Sequence, residues 1–179
     1  LIALARAKPL VYASSGVGSV VHLGMELFKS MAGVEMTHIP YKGSGLSMID
    51  VMSGRVQLAI TNTLTATPLV RGGKLKALAI TSPQRVQAMP EVPTIAESGV
   101  PGYELRSWYG LLAPNGTPGA LVSYLNREVG GLMNAPEVKE RLAADGAEAA
   151  APNTPDEFRG VINGEIARGE KIIRNLGIR

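Results

Sequence analysis

The sequence contains no cysteine, which removes disulfides, thiol nucleophiles and cysteine metal ligands from consideration. Histidine occurs only at His22 and His38, without the spacing of a metal-binding motif, so no metal site is expected. Aromatic residues make up 4% of the chain, and 18 basic against 15 acidic residues are scattered rather than massed. That pattern argues against nucleic acid as a partner. No apolar run approaches the ~20 residues a membrane-spanning helix requires, so direct membrane insertion is not expected. What is present is 45% hydrophobic content over 179 residues, enough to bury a core in one domain or two small ones.

Apolar runs alternate with helical patterns, an α/β rhythm. The stretch 1–9, LIALARAKP, has helical spacing with no N-cap ahead of Leu1, so it reads as the end of a leading helix and a preceding N-terminal part is expected. A strand is predicted at 10–13. A helix over 19–32 follows, with Val20, Leu23, Leu27 and Met31 on one face and Gly33 as its stop. Then come a strand at 36–39, a helix over 46–53, a strand at 56–61, a helix over 62–71 and a buried strand at 75–81. Prolines at 83, 90, 93 and 101 leave room only for a short helix over 94–98, capped by Thr94 and Glu97. An extended segment over 104–113 precedes three helices, with an Ala-rich strand at 147–150 before the last. Their starts at Thr117-Pro118, Asn134 to Glu137 and Thr154 to Glu157 read as caps, the last two as capping boxes. The composition shift near Leu112 marks a domain boundary.

The run Tyr12 to Ser19, YASSGVGS, carries the most chemistry. A strand feeding a Ser/Gly turn that opens into a helix holds anions, because first-turn N–H groups lack intrahelical acceptors and the macrodipole favours negative charge there. Ser14, Ser15 and Ser19 add hydroxyls; Gly16 and Gly18 allow close approach to the backbone around Val17. Val21 stands where a dinucleotide fingerprint needs its third glycine, and no GK[ST] follows, so nucleotide motifs are excluded. A plain tight turn with a serine N-cap is the competing reading.

A second polar turn, HIPYKGSG, also joins a strand to a helix, so in a parallel sheet both turns open on one edge. Tyr41, Lys42 and Gly43 are candidates there, with Lys42 as a solvated surface lysine the alternative. Asn62, at the same edge, reads either as an amide donor or as a helix cap. His22 lies one turn into its helix and either faces a ligand or packs in the core. Glu26, Glu35 and Asp50 read as solvated. No GxSxG elbow or Ser/His/acid set stands out, so nothing demands catalysis. Trp108, the only tryptophan, reads as a plug in a seam between two domains.

On YASSGVGSVVHL, HIPYKGSG, VQLAITN, GGKLKALAITSPQR, MPEVPTIAESGVPGYELRSWYGLLAPNGTP and APEVKERLAADGAE with its TPDEF helix, the chain resembles the solute-binding receptors of tripartite tricarboxylate transporters, the Bug or TctC-like receptors of bacteria. One departure is that Pro9 runs straight into Leu10, where family members read P-G-K-L. The resemblance implies a type II periplasmic-binding-protein-like fold, of which this chain supplies the second α/β lobe (10–105). A hinge crossover and the returning C-terminal part of the first lobe would occupy 106–179. It also implies a periplasmic receptor without cofactor that captures a dicarboxylate, tricarboxylate or amino acid and delivers it to membrane transporter subunits. Ser14, Ser15, Gly16, Val17, Gly18 and Ser19 would be donors, with Tyr41, Lys42, Gly43 and Asn62 on the rim. The alternatives are an enzyme on an anion-binding α/β scaffold and a ligand-sensing regulatory domain.

Overall fold

In the computed structural model, which describes residues 1–177, the first half of the chain runs through α1 (Ile2–Ala7), β1 (Val11–Ser14), α2 (Val20–Ala32), β2 (Thr37–Pro40), α3 (Ser44–Met52), β3 (Leu58–Ala59) and α4 (Thr63–Arg71). The strands form one parallel sheet in the order β2-β1-β3. Tyr12 pairs with His38 on one side and Leu58 on the other. Because β2 and β3 flank β1 on opposite sides, right-handed crossovers carry α2 and α3 over opposite faces of the sheet. All three strands therefore end at the same edge, where the Ser/Gly turn, the second polar turn and Asn62 all emerge.

Local chemistry sets the bounds of α2. Ser19 is its N-cap, the hydroxyl accepting the His22 N–H, and Gly33 closes it in the left-handed conformation with its N–H on Lys29 O. The buried face is Leu23, Met25, Phe28 and Ala32 with His22, while Val20 and Met31 are exposed, so the predicted stripe is rotated. Of these, Met25, Phe28 and Ala32 close over Tyr12 and Leu58 from the strands, Leu10 and Met36 just ahead of β1 and β2, and Val100 and Tyr103 from the end of the proline-rich stretch. Tyr103 bonds through its hydroxyl to Gly24 O at 3.0 Å and meets Phe28 edge-on at 6.4 Å.

Beyond α4 the chain departs from the expected pattern. The strand predicted at 75–81 is a single bridge between Ile80 and Thr94, because a strand needs a neighbouring ladder and the described residues supply one only there. Segment 94–98 is turns rather than helix, although Thr94 and Glu97 exchange both cap hydrogen bonds. Segment 147–150 is not a strand.

Three helices complete the described chain, α5 (Gly119–Asn134), α6 (Pro136–Asp145) and α7 (Pro155–Leu176). Only α7 has the expected capping box, between Thr154 and Glu157. Thr117 instead bonds Pro114 O, and Asn134 turns back to Gly130 O inside α5, so neither caps the helix that follows it. The final helix α7 lies against α2, and α6 against α4, where Gly146 sits so close that a Cβ would stand 2.5 Å from Thr67 Oγ1. Trp108 meets Phe158 of α7 edge-on at 5.4 Å. The segment 106–179 ends in two residues that lie outside the described ones.

Candidate functional site

The two polar turns are hydrogen-bonded to each other. Tyr41 N–H donates to Ser14 O at 3.0 Å and Gly43 N–H to Ser15 O at 3.2 Å, continuing the β1–β2 ladder past the strand ends. Gly16 has φ 141° and lies beside Tyr41, whose carbonyl oxygen would be 3.5 Å from an added Cβ. Only glycine takes that backbone conformation without strain.

An accounting of donors shows what the first turn holds for itself. Gly16 N–H donates to Ser14 Oγ, Gly18 N–H to His22 Nδ1, both at 3.1 Å, and Ser19 Oγ donates to Gly16 O at 2.7 Å. The Ser19 N–H goes to Gly16 O as well. Among the described residues, the N–H groups of Ser15, Val17, Val20, Val21 and Lys42 donate to no protein acceptor. Val17 is 64% exposed at the tip of the turn. Four of these five donors belong to the turn and the first two positions of α2, where the macrodipole is positive.

Behind the turn lies a polar cluster in which Tyr12, Ser14 and His22 are buried and His38, Glu26 and Lys29 partly so. Tyr12 and His38, neighbours in the β1–β2 register, stack at 4.8 Å, and His38 stacks on His22 at 4.1 Å. His38 Nε2 is 2.7 Å from Ser14 Oγ. The Tyr12 hydroxyl donates to Glu26, which Lys29 clasps through both oxygens at 2.8 and 2.9 Å. Burial pushes both imidazoles below their ordinary pKa, and the proximity of His22 lowers His38 further. Burial raises the Tyr12 phenol far above its usual range, with the Glu26 bond acting in the same direction. Burial also raises the Glu26 carboxyl, but Lys29 and Tyr12 outweigh it and hold it low.

A family model described as Tripartite tricarboxylate transporter family receptor matches residues 1–178. The chain belongs to that receptor family. It is 38% identical over 181 residues to Protein BugT of Bordetella pertussis, covering 100% of this chain and 55% of BugT. Among solved structures it is similar to R. palustris Rpa4515 with adipate, at TM-score 0.95 and 41% identity over 99% of this chain and 60% of that one. It is also similar to MatC (Rpa3494) from Rhodopseudomonas palustris with bound malate, at TM-score 0.83 and 32% identity over 92% of this chain and 56% of that one. Its fold is thus the α/β fold of these binding proteins. The chain spans about half the length of the curated relatives it matches.

In this receptor-family chain the rim residues are held by their own elements. Tyr41 donates to Asp50 Oδ2 at 2.7 Å, which raises its phenol above the ordinary value and ties the second turn to α3, and Arg55 lies 3.3 Å from the other oxygen. Asp50 and Glu26 are therefore engaged, contrary to a solvated reading, whereas the Glu35 side chain is 96% exposed as expected. Lys42 is exposed and forms no ion pair among the described residues. Asn62 caps α4 through Oδ1, which accepts Thr65 N–H at 2.8 Å, and this leaves its amide hydrogens. Beside it Thr61 Oγ1 is buried without a hydrogen-bond partner.

Sequence reasoning did not select Tyr12, Glu26, Lys29, His38 or Thr61. The available signal was His22, Glu26 and Lys29 at helical spacing on one face of α2, turned toward the strands.

Proposed function

We propose that this chain is the carboxylate-receiving part of a periplasmic solute receptor. It would capture a small dicarboxylate, tricarboxylate or amino acid and present it to the membrane subunits of a tripartite tricarboxylate transporter. The observation that carries this reading is the pair of hydrogen-bonded turns at one sheet edge with unspent N–H donors on Ser15, Val17, Val20, Val21 and Lys42. Ser14, Gly16, Gly18 and Ser19 shape the first turn, and Gly43 ties the second to it. Lys42, Tyr41 and Asn62 complete the surround, and His22, buried behind the first turn, backs it through the Gly18 N–H. A carboxylate set over these donors would gain charge-assisted hydrogen bonds at a helix N-terminus. The ligands of two related structures, adipate and malate, belong to the same chemical class.

We infer as well that 10–105 forms the ligand-receiving lobe and 106–179 the crossover and returning helices of an opposite lobe. In support, α5 and α6 bury no residue, and Tyr109, Leu111 and Leu112 are 72–77% exposed, as expected of faces covered by further chain in longer relatives.

The enzyme alternative has one feature in its favour, the 2.7 Å Ser14–His38 pair, which matches a nucleophile and its base. Ser14 is 1% exposed, and its oxygen also bonds the N–H and the carbonyl of Gly16. A substrate carbonyl has no approach to it, so a receptor without catalysis is the better reading. Calorimetry of the complete polypeptide with adipate, malate, citrate and glutamate tests the proposal. Saturable 1:1 binding of at least one acid is expected, and turnover of any of them, or heats indistinguishable from dilution for all, refutes it.

A further inference from the structure

The donor accounting raises a question about the two histidines. Gly18 has φ 75° at the mouth of α2, where its N–H would otherwise be one more open donor, yet it turns inward onto His22 Nδ1. His38 holds Ser14, and Ser14 in turn holds Gly16 N–H. The turn is thus fastened at two points to a stack of imidazoles, and the fastening determines which N–H groups remain open.

We propose that His22 and His38 are positioning residues that clasp the anion-receiving turn, and that taking up a proton on His22 opens the clasp and weakens ligand capture. This rests on the receptor reading above.

The two fastenings differ in chemistry. Ser14 Oγ can accept from His38 Nε2–H while its own proton goes to Gly16 O, so that bond survives in either charge state of His38. His22 Nδ1 accepts from Gly18, which requires a bare lone pair and therefore a neutral ring. A proton placed there sets one N–H against another. The groups acting on His22 are Glu26 and Lys29 from α2 and His38 from β2, with Tyr12 of β1 beyond His38 and Glu35 reaching Lys29 at 3.9 Å. Glu26 favours the protonated ring by its charge, but it is hydrogen-bonded to Lys29 and Tyr12, and burial with the Lys29 charge acts the other way. Burial lowers the His22 pKa, which keeps the clasp closed at neutral pH.

The direction separates this device from simple attraction. A positive His22 near the turn would by charge alone strengthen anion binding in acid, whereas an opening clasp weakens it.

NMR of the isotopically labelled protein between pH 8 and 5 reads the clasp without a ligand. The Gly18 amide proton shift is expected to follow the His22 Nδ1 titration with one midpoint below the ordinary histidine value, and a Gly18 shift independent of that titration overturns the clasp. Adipate calorimetry on the complete polypeptide reads its consequence. His22→Phe keeps the ring but removes the acceptor and is expected to bind weakly at every pH. His22→Asn, whose amide oxygen stands near the place of Nδ1, is expected to recover most of that loss.

The wild-type affinity divided by that of His22→Asn should fall on acidification by up to about tenfold per pH unit, the limit for one linked proton. The ratio cancels protonation of adipate itself. A ratio that is flat or rises overturns the proposal. Failure of every variant to bind any carboxylate, with the Gly18 shift still tracking His22, refutes the receptor reading and the ligand half of the proposal with it.

Discussion

Replacing Tyr12 by Phe removes one oxygen from the polar cluster and leaves the ring stack in place. Tyr12 is 0% exposed, and its hydroxyl donates to a Glu26 carboxylate whose pKa is depressed, so the lost bond is one to a charged acceptor. Such bonds contribute about 1.5–3 kcal/mol. Glu26 keeps Lys29 Nζ at 2.8 Å and its side chain is 20% exposed, so it is not orphaned, which favours the lower end. We expect a loss of about 1.5 kcal/mol at pH 7 and, at about 2–4 °C per kcal/mol for a chain of this size, a Tm lowered by about 3–6 °C.

The effect should depend on pH. A carboxyl whose pKa is depressed in the fold contributes stability above its unfolded value and loses it as pH falls through the folded one, so the Tyr12→Phe penalty should shrink in acid. Urea unfolding of wild type, Tyr12→Phe, Glu26→Gln and the double variant at pH 7 and pH 4 gives the coupling directly. A coupling below about 0.5 kcal/mol at pH 7, or a Tyr12→Phe penalty that grows in acid, would refute the reasoning.

Acid should also destabilise the protein through its histidines. Both imidazoles are held below their ordinary pKa, so the unfolded chain binds more protons below about pH 6.5 and stability falls there, by at most about 1.4 kcal/mol per pH unit for each ring; urea titrations between pH 7.5 and 5 check this. Gly146→Ala combines φ 88° with contacts at 2.5 Å to Thr67 Oγ1 and 3.1 Å to Thr63 Cβ, and should cost about 1–3 kcal/mol, measurable by urea unfolding. Thr154→Ala breaks the α7 capping box and should cost about 1 kcal/mol, with a matching loss of helical circular dichroism on heating.

How much was legible follows from the range of the interactions. The turn from Ser14 to Ser19, the stop at Gly33 and the Thr154 box are local devices, and each forms where the residues indicated. The strand predicted at 75–81 failed because an apolar run says nothing about whether a ladder partner exists. The caps at Thr117 and Asn134 failed for a local reason, since each side chain found a nearer carbonyl, Pro114 O and Gly130 O. At the site, Asn62 proved a cap through its oxygen, and nothing in the residues around Thr61 indicated that its hydroxyl would be buried unpaired.

The residues alone determined the alternation of strand and helix, the placing of two Ser/Gly turns after strands, and the family, because these depend on short-range order along the chain. Tertiary structure decided which donors stay open. Gly18 looks like a free donor in sequence, and becomes spent only when one turn of α2 brings His22 Nδ1 to within 3.1 Å of it. The stack that holds His22 in place exists because the β1–β2 register sets Tyr12 beside His38, residues 26 positions apart that no local pattern relates. Parallel pairing is chosen by the whole core, so the state of a single N–H at the site is a property of the packed molecule.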